Sequence, residues 1–301
     1  KHYWISDDEL EKLMRHGEGW LAEHPQRELI ASRYLRYRRD LIDDALVRLR
    51  EQDGESVAVI DGESAEDERE EAGETPRSLH QQRHEAIIAV LRGAGVRRVA
   101  DLGCGEGRLL REMLKCREFD RIIGMDVSHR SLKLAAQRLK IDRMSPIQRA
   151  RLELLHGSLM YRDDRLRTEP MVDAAVLCEV IEHMDPPRLA AMERVVFGHL
   201  RPRLVVITTP NREYNDLWES LPAGQFRHRD HRFEWTRAEC AEWAERIAST
   251  HGYRVDVMPL GDVDPVRGGP SQMVILTRLD DVASADGGAT SASLDTVGGT
   301  T

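Results

Sequence analysis

Cysteines, long apolar runs and a net positive charge are all missing or scarce in this sequence. Only four of the 301 residues are cysteine, and no run of 18 apolar residues occurs. The scattered cysteines form no Cys-x-x-Cys pair, which argues against a thiolate metal site or a disulfide framework. The absence of an apolar run excludes a membrane-spanning helix. We therefore expect a globular protein of a reducing, cytoplasmic compartment, with no membrane partner.

The net charge of −9 argues at first against a nucleic-acid partner. The acidity is concentrated, however, because residues 51–77 contain eleven acids against two arginines and residues 279–301 add four aspartates. Residues 1–50 are neutral, and residues 78–278 carry a net charge of +4. The central part of the chain is therefore mildly basic and compatible with a phosphate-bearing partner.

The composition predicts four regions along the chain. Apolar residues at helical spacing favour a helical segment over residues 1–50, with a second helix at roughly 26–50. Residues 51–77 are too acidic and too poor in apolar groups to fold, which predicts a flexible linker. Residues 78–280 form the main domain, and the Gly/Ser/Thr-rich residues 281–301 are expected to be a disordered tail.

Short β-branched runs alternate with helical stretches in the main domain. The clearest strands are predicted at 97–102, 122–127, 172–177 and 204–208, with helices near 78–93, 107–117, 129–140, 187–199 and 236–250. This alternation predicts a parallel, doubly wound α/β sheet. Two last strands, at 253–258 and 273–276, have no long helix between them, which indicates an antiparallel hairpin at one sheet edge.

A glycine-rich loop follows the first predicted strand. Its pattern is D-x-G-x-G-x-G over residues 101–107, and an acid, Asp126, ends the next strand about twenty residues later. Glycines at this place allow a tight turn and a close approach to a ligand, and the second acid can accept the two hydroxyls of a ribose. The pattern differs from the dinucleotide-binding pattern G-x-G-x-x-G, because an acid, Asp101, precedes the first glycine.

This loop resembles the first motif of the class I S-adenosylmethionine-dependent methyltransferases. The resemblance implies a Rossmann-like, seven-stranded, mostly parallel sheet with S-adenosylmethionine as cofactor. An acid at the position of Asp101 is characteristic of that superfamily. The implied cofactor contacts are Gly103, Gly105 and Gly107 for the methionine end, Asp126 for the ribose, and Ser158 and Leu159 for the adenine. Many members have an aspartate where this chain has Ser158, which makes that contact the weakest of the set.

A second polar cluster follows the strand that ends near residue 178. Glu179, Glu182 and His183 lie within five residues, and the combination of carboxylate and imidazole suits Mg²⁺ or Mn²⁺. The alternative interpretation is a charged helix start in front of Pro186. Residues 227–235 add His228 and His231 after the neighbouring fifth strand, and either of them is a candidate for a fourth ligand.

Taken together, these segments resemble the Hen1 family of small-RNA 3′-terminal ribose 2′-O-methyltransferases. The resemblance covers roughly residues 80–280 and depends on E-V-I-E-H at 179–183, V-V-I-T-T-P-N-R-E-Y-N at 205–215 and D-H-R-F-E-W-T-R at 230–237. It implies a divalent metal, Mg²⁺ or Mn²⁺, that binds both hydroxyls of the terminal nucleotide. The implied ligands are Glu179, Glu182, His183 and His231, and the candidates for the general base are His183, His231 and His228.

The resemblance also implies partners. The substrate is an RNA 3′ end with free 2′- and 3′-hydroxyls, and two arginine-rich stretches, 162–167 and 227–232, could hold its phosphates. Residues 15–25 look like the segment that precedes the methyltransferase domain in bacterial members. Those members act in RNA repair with a kinase–phosphatase–ligase, through a region that we expect to be mostly absent from this chain.

Two other functions fit parts of the sequence. A metal-assisted O-methyltransferase of a small catechol-like diol would also present two adjacent oxygens to a metal, although the basic core and the D-H-R-F-E-W segment count against it. A non-catalytic subunit that binds RNA ends would use the same fold as a scaffold. The intact glycines and metal-ligand residues argue against that alternative.

Overall fold

A computed structural model describes residues 7–18, 21, 24, 30, 78–218, 221–222 and 224–279. The chain divides into two compact units, residues 1–75 and 76–301. In the first unit, helix α1 spans Asp7–His16. The second helix predicted at 26–50 lies outside the described residues except for Ile30, and so do the predicted linker at 51–77 and tail at 281–301.

The second unit is built on one sheet of seven strands, in the order β3-β2-β1-β4-β5-β7-β6. The first five strands are mutually parallel, whereas β7 is antiparallel to both β5 and β6. The predicted doubly wound sheet and its antiparallel edge hairpin are thus confirmed. The strands span Arg98–Leu102 (β1), Arg121–Asp126 (β2), Leu152–His156 (β3), Ala174–Cys178 (β4), Leu204–Pro210 (β5), Tyr253–Leu260 (β6) and Ser271–Arg278 (β7).

The helices of this unit connect the strands and cover the sheet. Several begin where the sequence provides a cap: Ser78, Ser128 and Thr236 each accept a hydrogen bond from a backbone N–H of the first turn. The bounds are Leu79–Gly93 (α2), Arg108–Lys115 (α3), His129–Arg138 (α4), Pro146–Arg151 (α5), Pro186–Glu193 (α6, continued by a π-helical stretch Arg194–Leu200) and Arg237–His251 (α7).

Two hydrophobic clusters lie on the two faces of the sheet. Alternate residues of one strand belong to different clusters: in β4, Ala175 and Leu177 are in one, and Ala174 and Val176 are in the other. Successive strand side chains point to opposite faces, so central strands covered on both sides need continuous apolar runs. Every residue of β5 is buried, as this rule requires.

The carboxyl ends of the parallel strands meet at one edge of the sheet, and their loops contain the residues of interest. Ligands of open α/β sheets bind at this edge. Among the residues that the structure describes, no helix is long and apolar enough to cross a membrane.

Candidate active site

The glycine loop after β1 turns through three residues with positive φ. Gly103, Gly105 and Gly107 have φ of 91°, 51° and 78°, in the region that side chains disfavour. A Cβ atom at Gly103 would lie 2.6 Å from Cγ2 of Val180, whereas one at Gly105 would meet nothing within 4 Å. The loop therefore packs against the turn after β4 at Gly103 and leaves open space at Gly105.

Asp126, the last residue of β2, holds this loop in place. Its Oδ2 accepts a hydrogen bond of 2.8 Å from the backbone N–H of Gly105, and its Oδ1 accepts one of 2.8 Å from Ser128. Each carboxylate oxygen keeps a second lone pair for a ligand hydroxyl. The predicted ribose contact thus lies directly beside the predicted methionine contacts.

Asp101 lies within β1 and is 1% exposed. Its Oδ1 has no hydrogen-bond partner among the described residues. Burial, and secondarily the charge of Asp126, raise the pKa of Asp101 to about 7. A buried carboxyl without a cationic partner is suited to receive one from a ligand.

Ser158 and Leu159 follow β3, whose last residue, His156, is in register with Asp126 of β2. The hydroxyl of Ser158 accepts a hydrogen bond of 3.2 Å from the backbone N–H of Met160, and the Leu159 side chain is buried in the core. The structure thus brings both residues to the same sheet edge as the glycine loop.

Glu179, whose side chain is 16% exposed, and Glu182 form an acidic pair after β4. Glu179 has a φ of 54°, and its Oε2 lies 3.0 Å from Nη2 of Arg83. Glu182 is fully buried, and its Oε2 accepts a hydrogen bond of 3.1 Å from the hydroxyl of Thr209. Burial raises the pKa of Glu182 well above its ordinary value, and the charge of Glu179 raises it further.

One oxygen of each glutamate, Oε1, is buried without a hydrogen-bond partner among the described residues. A buried acid next to a partly buried one, each with an unsatisfied buried oxygen, is unfavourable unless positive charge balances them. This part of the structure therefore fits the divalent cation that the sequence predicts.

Three histidines gather beside this pair. The ligand nitrogens of His183, His228 and His231 all lie within 4.8 Å of one another. The predicted ligands His183 and His231 thus come together, but with His228 as a third member and without the glutamates in the same group. The backbone N–H of Arg232 donates a hydrogen bond of 2.7 Å to the backbone carbonyl of Glu182. This bond joins the histidine loop to the acidic turn.

The imidazole of His183 is kept neutral by its surroundings. Although the residue is exposed at the surface, desolvation by the groups around its ring, and then the nearby rings of His231 and His228, lower its pKa. A neutral imidazole retains a lone pair that can bind a metal or accept a proton.

Glu234 orients His231, and the sequence analysis gave it no role. It is 1% exposed, and its Oε1 lies 2.6 Å from Nδ1 of His231. The side chain of Asn215 and the backbone N–H of Arg227 also donate to this carboxylate. Because Nδ1 of His231 is engaged, Nε2 is the nitrogen left for a ligand. The spacing His-x-x-Glu within D-H-x-F-E-W was the available signal.

Arg83 of α2 was also missed by the sequence analysis. It lies outside every motif that the sequence offered, 96 residues before Glu179, and nothing in its helical context distinguishes it from a surface arginine. The structure buries it to 6% exposure between Glu179 and the hydroxyl of Ser271. It supplies positive charge beside the acidic pair.

The arginines proposed to hold phosphates differ in their surroundings. Arg229 and Arg232 are exposed beside the histidines, and Arg162 and Arg167 are exposed after β3. Arg227 instead binds other residues of the chain: its Nε donates a hydrogen bond of 2.6 Å to Oδ1 of Asn215. Phosphate binding by the exposed arginines stays a prediction.

Known proteins are similar to this chain in both sequence and fold. Residues 100–203 match a family model described as a methyltransferase domain. A solved structure, the methyltransferase domain of bacterial CtHen1-CN, is 45% identical to this chain, with a TM-score of 0.61. The match covers 66% of this chain and 100% of that one. The chain belongs to the Hen1 family.

Further comparisons agree with membership of the Hen1 family. Residues 1–50 match the model described as the RNA repair, ligase-Pnkp-associating, region of Hen1. At least part of the region that we expected to be mostly absent is therefore present. The small RNA 2′-O-methyltransferase of Mus musculus is 35% identical over 187 residues, which cover 61% of this chain. The chain spans 46% of that relative, or about half its length.

The fold extends beyond Hen1 proteins. The magnesium protoporphyrin IX methyltransferase (ChlM) of Synechocystis PCC 6803, solved with bound SAH, has a TM-score of 0.51 at 16% identity. The match covers 71% of this chain and 94% of that one. Together with the observed strand order, it confirms the class I methyltransferase fold.

Proposed function

We propose that this Hen1-family chain transfers the methyl group of S-adenosylmethionine to the 2′-hydroxyl of the 3′-terminal nucleotide of RNA, with the help of a divalent metal, Mg²⁺ or Mn²⁺. The observation that carries the proposal is the Glu179–Glu182 pair, with one unsatisfied buried oxygen on each residue, beside three histidines and the glycine loop. The small RNA 2′-O-methyltransferase relative named above supports the same reaction.

The cofactor would bind at the loops after β1, β2 and β3. Gly105 leaves open space for the methionine end, and Asp101 offers a buried carboxyl to its amino group. Asp126 accepts hydrogen bonds from the ribose hydroxyls through its remaining lone pairs. Ser158 and Leu159 line the adenine side. The close approach of Gly103 to Val180 supports this arrangement, because it brings the glycine loop next to the turn that contains Glu179 and Glu182.

Glu179, Glu182, His183 and His231 would hold the metal. When bound, a divalent cation would supply the positive charge that lowers the pKa of the substrate hydroxyl. Glu234 holds the ring of His231 in one tautomer, and Thr209 holds one oxygen of Glu182. These contacts fix the ligand side chains before substrate arrives, which reduces the ordering cost of binding.

A histidine of the cluster would accept the proton of the 2′-hydroxyl. The lowered pKa of His183 leaves it neutral and able to accept. Nδ1 of His228 accepts a hydrogen bond of 3.2 Å from the backbone N–H of Asp230, so a neutral His228 carries its proton on Nε2. His228 would have to change tautomer before Nε2 could accept a proton, and His231 remains the third candidate.

The test uses RNAs of one sequence with different 3′ ends. We expect methylation of an end with 2′- and 3′-hydroxyls and none of a 2′-deoxy or 3′-phosphate end, because the first lacks the nucleophile and the second has its 3′-oxygen in an ester. Transfer of tritiated methyl, with Mn²⁺ or with EDTA, measures the reaction. Methylation of the 3′-phosphate RNA, or full activity in EDTA, would overturn the proposal.

Substitutions separate the two sites. Glu182→Ala or His231→Ala should abolish methyl transfer while S-adenosylmethionine binding, measured by calorimetry, persists. Glu153→Ala on β3 is the matched control, because Glu153 pairs with Arg121 away from the carboxyl edge of the sheet. Loss of cofactor binding in the two site variants would contradict the assignment of separate sites.

We also propose that residues 1–50 associate with an RNA-repair kinase–phosphatase–ligase. The match of these residues to the ligase-Pnkp-associating region of Hen1 supports this partner. Methylation of cleaved RNA ends before they are rejoined would then be the step that this chain contributes to repair.

A further inference from the structure

Trp218 is an exposed tryptophan whose ring lies under Arg227, the residue that precedes His228 of the histidine cluster. It follows the 3₁₀ stretch Arg212–Leu217 and is 39% exposed. The other tryptophans among the described residues differ: Trp243 is 6% exposed, and Trp235 packs against the core. Trp218 is the most exposed tryptophan of the described residues, because Trp243 is buried and Trp235 is partly buried, and such an exposed indole indicates contact with something outside the chain.

The surroundings of Trp218 are polar and positive. The guanidinium carbon of Arg227 lies 5.7 Å from the centroid of its ring, and the ring of Tyr214 meets it edge-on at 6.3 Å. A cation over an indole occupies part of its π surface and orients the ring. The exposed Arg229 lies two residues further along the same loop. An aromatic surface flanked by arginines suits a nucleotide better than an apolar peptide.

A continuous chain of contacts links Trp218 to the histidines. Arg227, which lies over the indole, donates to Asn215, whose amide donates to Glu234. Glu234 in turn holds Nδ1 of His231 at 2.6 Å. The indole is therefore fixed relative to the side chains that would hold the terminal ribose. The base attached to that ribose is the part of the RNA that would come within reach of the indole ring of Trp218.

We propose that Trp218 stacks on the base of the 3′-terminal nucleotide, a contact that rests on the proposed RNA substrate and adds its base-recognition element. Stacking on an aromatic side chain tolerates every base, because each base has a π face. The enzyme therefore accepts RNA ends with any of the four bases while it reads the terminal ribose at the histidine cluster.

The experiment compares the full chain with three variants on two RNAs. One RNA ends in adenosine, and the other ends in an abasic ribose that keeps its 2′- and 3′-hydroxyls. The variants are Trp218→Ala, Trp218→Phe as the conservative replacement, and Leu217→Ala as a control at an adjacent position that is 46% exposed. Steady-state methylation gives KM and kcat for each pair.

Trp218→Ala should raise the KM for the adenosine-ended RNA about 5- to 150-fold, which corresponds to about 1–3 kcal/mol of lost stacking. Its KM for the abasic RNA should equal that of the wild type, because no base is present to stack. The KM of Trp218→Phe should stay within a few-fold of the wild-type KM on both RNAs. The KM of Leu217→Ala should equal the wild-type KM on both RNAs.

Two results would overturn the stacking contact alone. One is a KM of Trp218→Ala for the adenosine-ended RNA that equals the KM of the wild type, provided that the wild type methylates this RNA. The other is an equal loss on both RNAs, which would mean that Trp218 only holds Arg227 in place. A wild type that methylates neither RNA would overturn the proposed function, and this inference with it.

Discussion

Asp101 and Glu234 are both buried carboxyls, but their surroundings shift their pKa values in opposite directions. Burial and the nearby Asp126 raise the pKa of Asp101 to about 7. Burial also opposes ionisation of Glu234, but hydrogen bonds from His231 and Asn215 and from a backbone N–H outweigh it and lower the pKa of that residue. The carboxylate of Glu234 already has hydrogen-bond donors within the chain, whereas the carboxyl group of Asp101 needs a donor from a bound ligand.

Replacement of Asp101 by asparagine should separate stability from cofactor binding. The raised pKa means that the carboxyl favours the folded state fully below its ordinary value of 3.8 and loses that contribution as the pH rises towards about 7. Asp101→Asn should therefore be more stable than the wild type by a few kcal/mol at pH 8, since one pKa unit corresponds to about 1.4 kcal/mol. Its binding of S-adenosylmethionine should be much weaker.

Urea unfolding at pH 5 and pH 8, with calorimetry of cofactor binding, checks both effects. The stability difference should grow between these two values. An equal difference at both pH values would show that Asp101 is ionised throughout in the folded protein, against the burial argument.

Replacement of Glu234 by glutamine should weaken metal binding without a change in cofactor affinity. Glutamine keeps the shape but loses the charge that orients His231, and partners of metal-binding histidines typically contribute about 10- to 100-fold to metal affinity or activity. Titration with Mn²⁺ measures the affinity directly. Glu153→Gln is the control, and equal Mn²⁺ affinities in both variants would assign Glu234 a purely structural role.

At the scale of elements, the site depends on helix α2 as well as on the strand ends. The turn after β4 places Glu179 in a left-handed backbone conformation, with a φ of 54°. Its side chain reaches Arg83, which α2 delivers from a position before β1. A strained turn of this kind persists only when the surrounding contacts fix it.

Replacement of Arg83 by alanine should destabilise the chain in EDTA by up to about 3–5 kcal/mol, because the largely buried carboxylate of Glu179 would lose its cationic partner. Arg83→Lys should retain part of the stability. Arg92→Ala on the same helix is the control, since Arg92 is exposed and pairs with Glu118 at the surface. Urea unfolding measures all three, and a loss from Arg83→Ala no larger than that from Arg92→Ala would contradict the role of the ion pair.

At the scale of the whole molecule, the two units correspond to different matches. Residues 1–75 include the segment that matches the ligase-Pnkp-associating region, and residues 76–301 include the methyltransferase domain. The CtHen1 methyltransferase domain aligns over its whole length with 66% of this chain. Catalysis and partner association are therefore expected to be separable.

A chain of residues 76–301 should methylate RNA ends with a kcat within a few-fold of the full chain. It should not bind the repair kinase–phosphatase–ligase, which the full chain should retain in a pull-down. Binding of that partner by residues 76–301, at the affinity of the full chain, would show that the association does not depend on residues 1–50.

Much of the fold could be predicted because its signals are local. Strand 204–208 is a continuous apolar run, and the structure buries every residue of β5. The glycine loop and Asp126 were placed correctly at the ends of β1 and β2, because the motif has a fixed position in the chain. Arg83 and Asn215 could not be predicted, since only the folded chain brings them to Glu179 and Glu234.

The sequence by itself determined the α/β class, the mostly parallel sheet with its antiparallel edge hairpin, and the residue types available at the carboxyl edge of the sheet. These depend on periodicity and on motifs a few residues long. Only the tertiary structure decided which side chains meet: that His228 joins His183 and His231, that Glu234 orients one of them, and that Arg227 lies over the ring of Trp218. Contacts between distant segments depend on packing and burial, which no local pattern specifies.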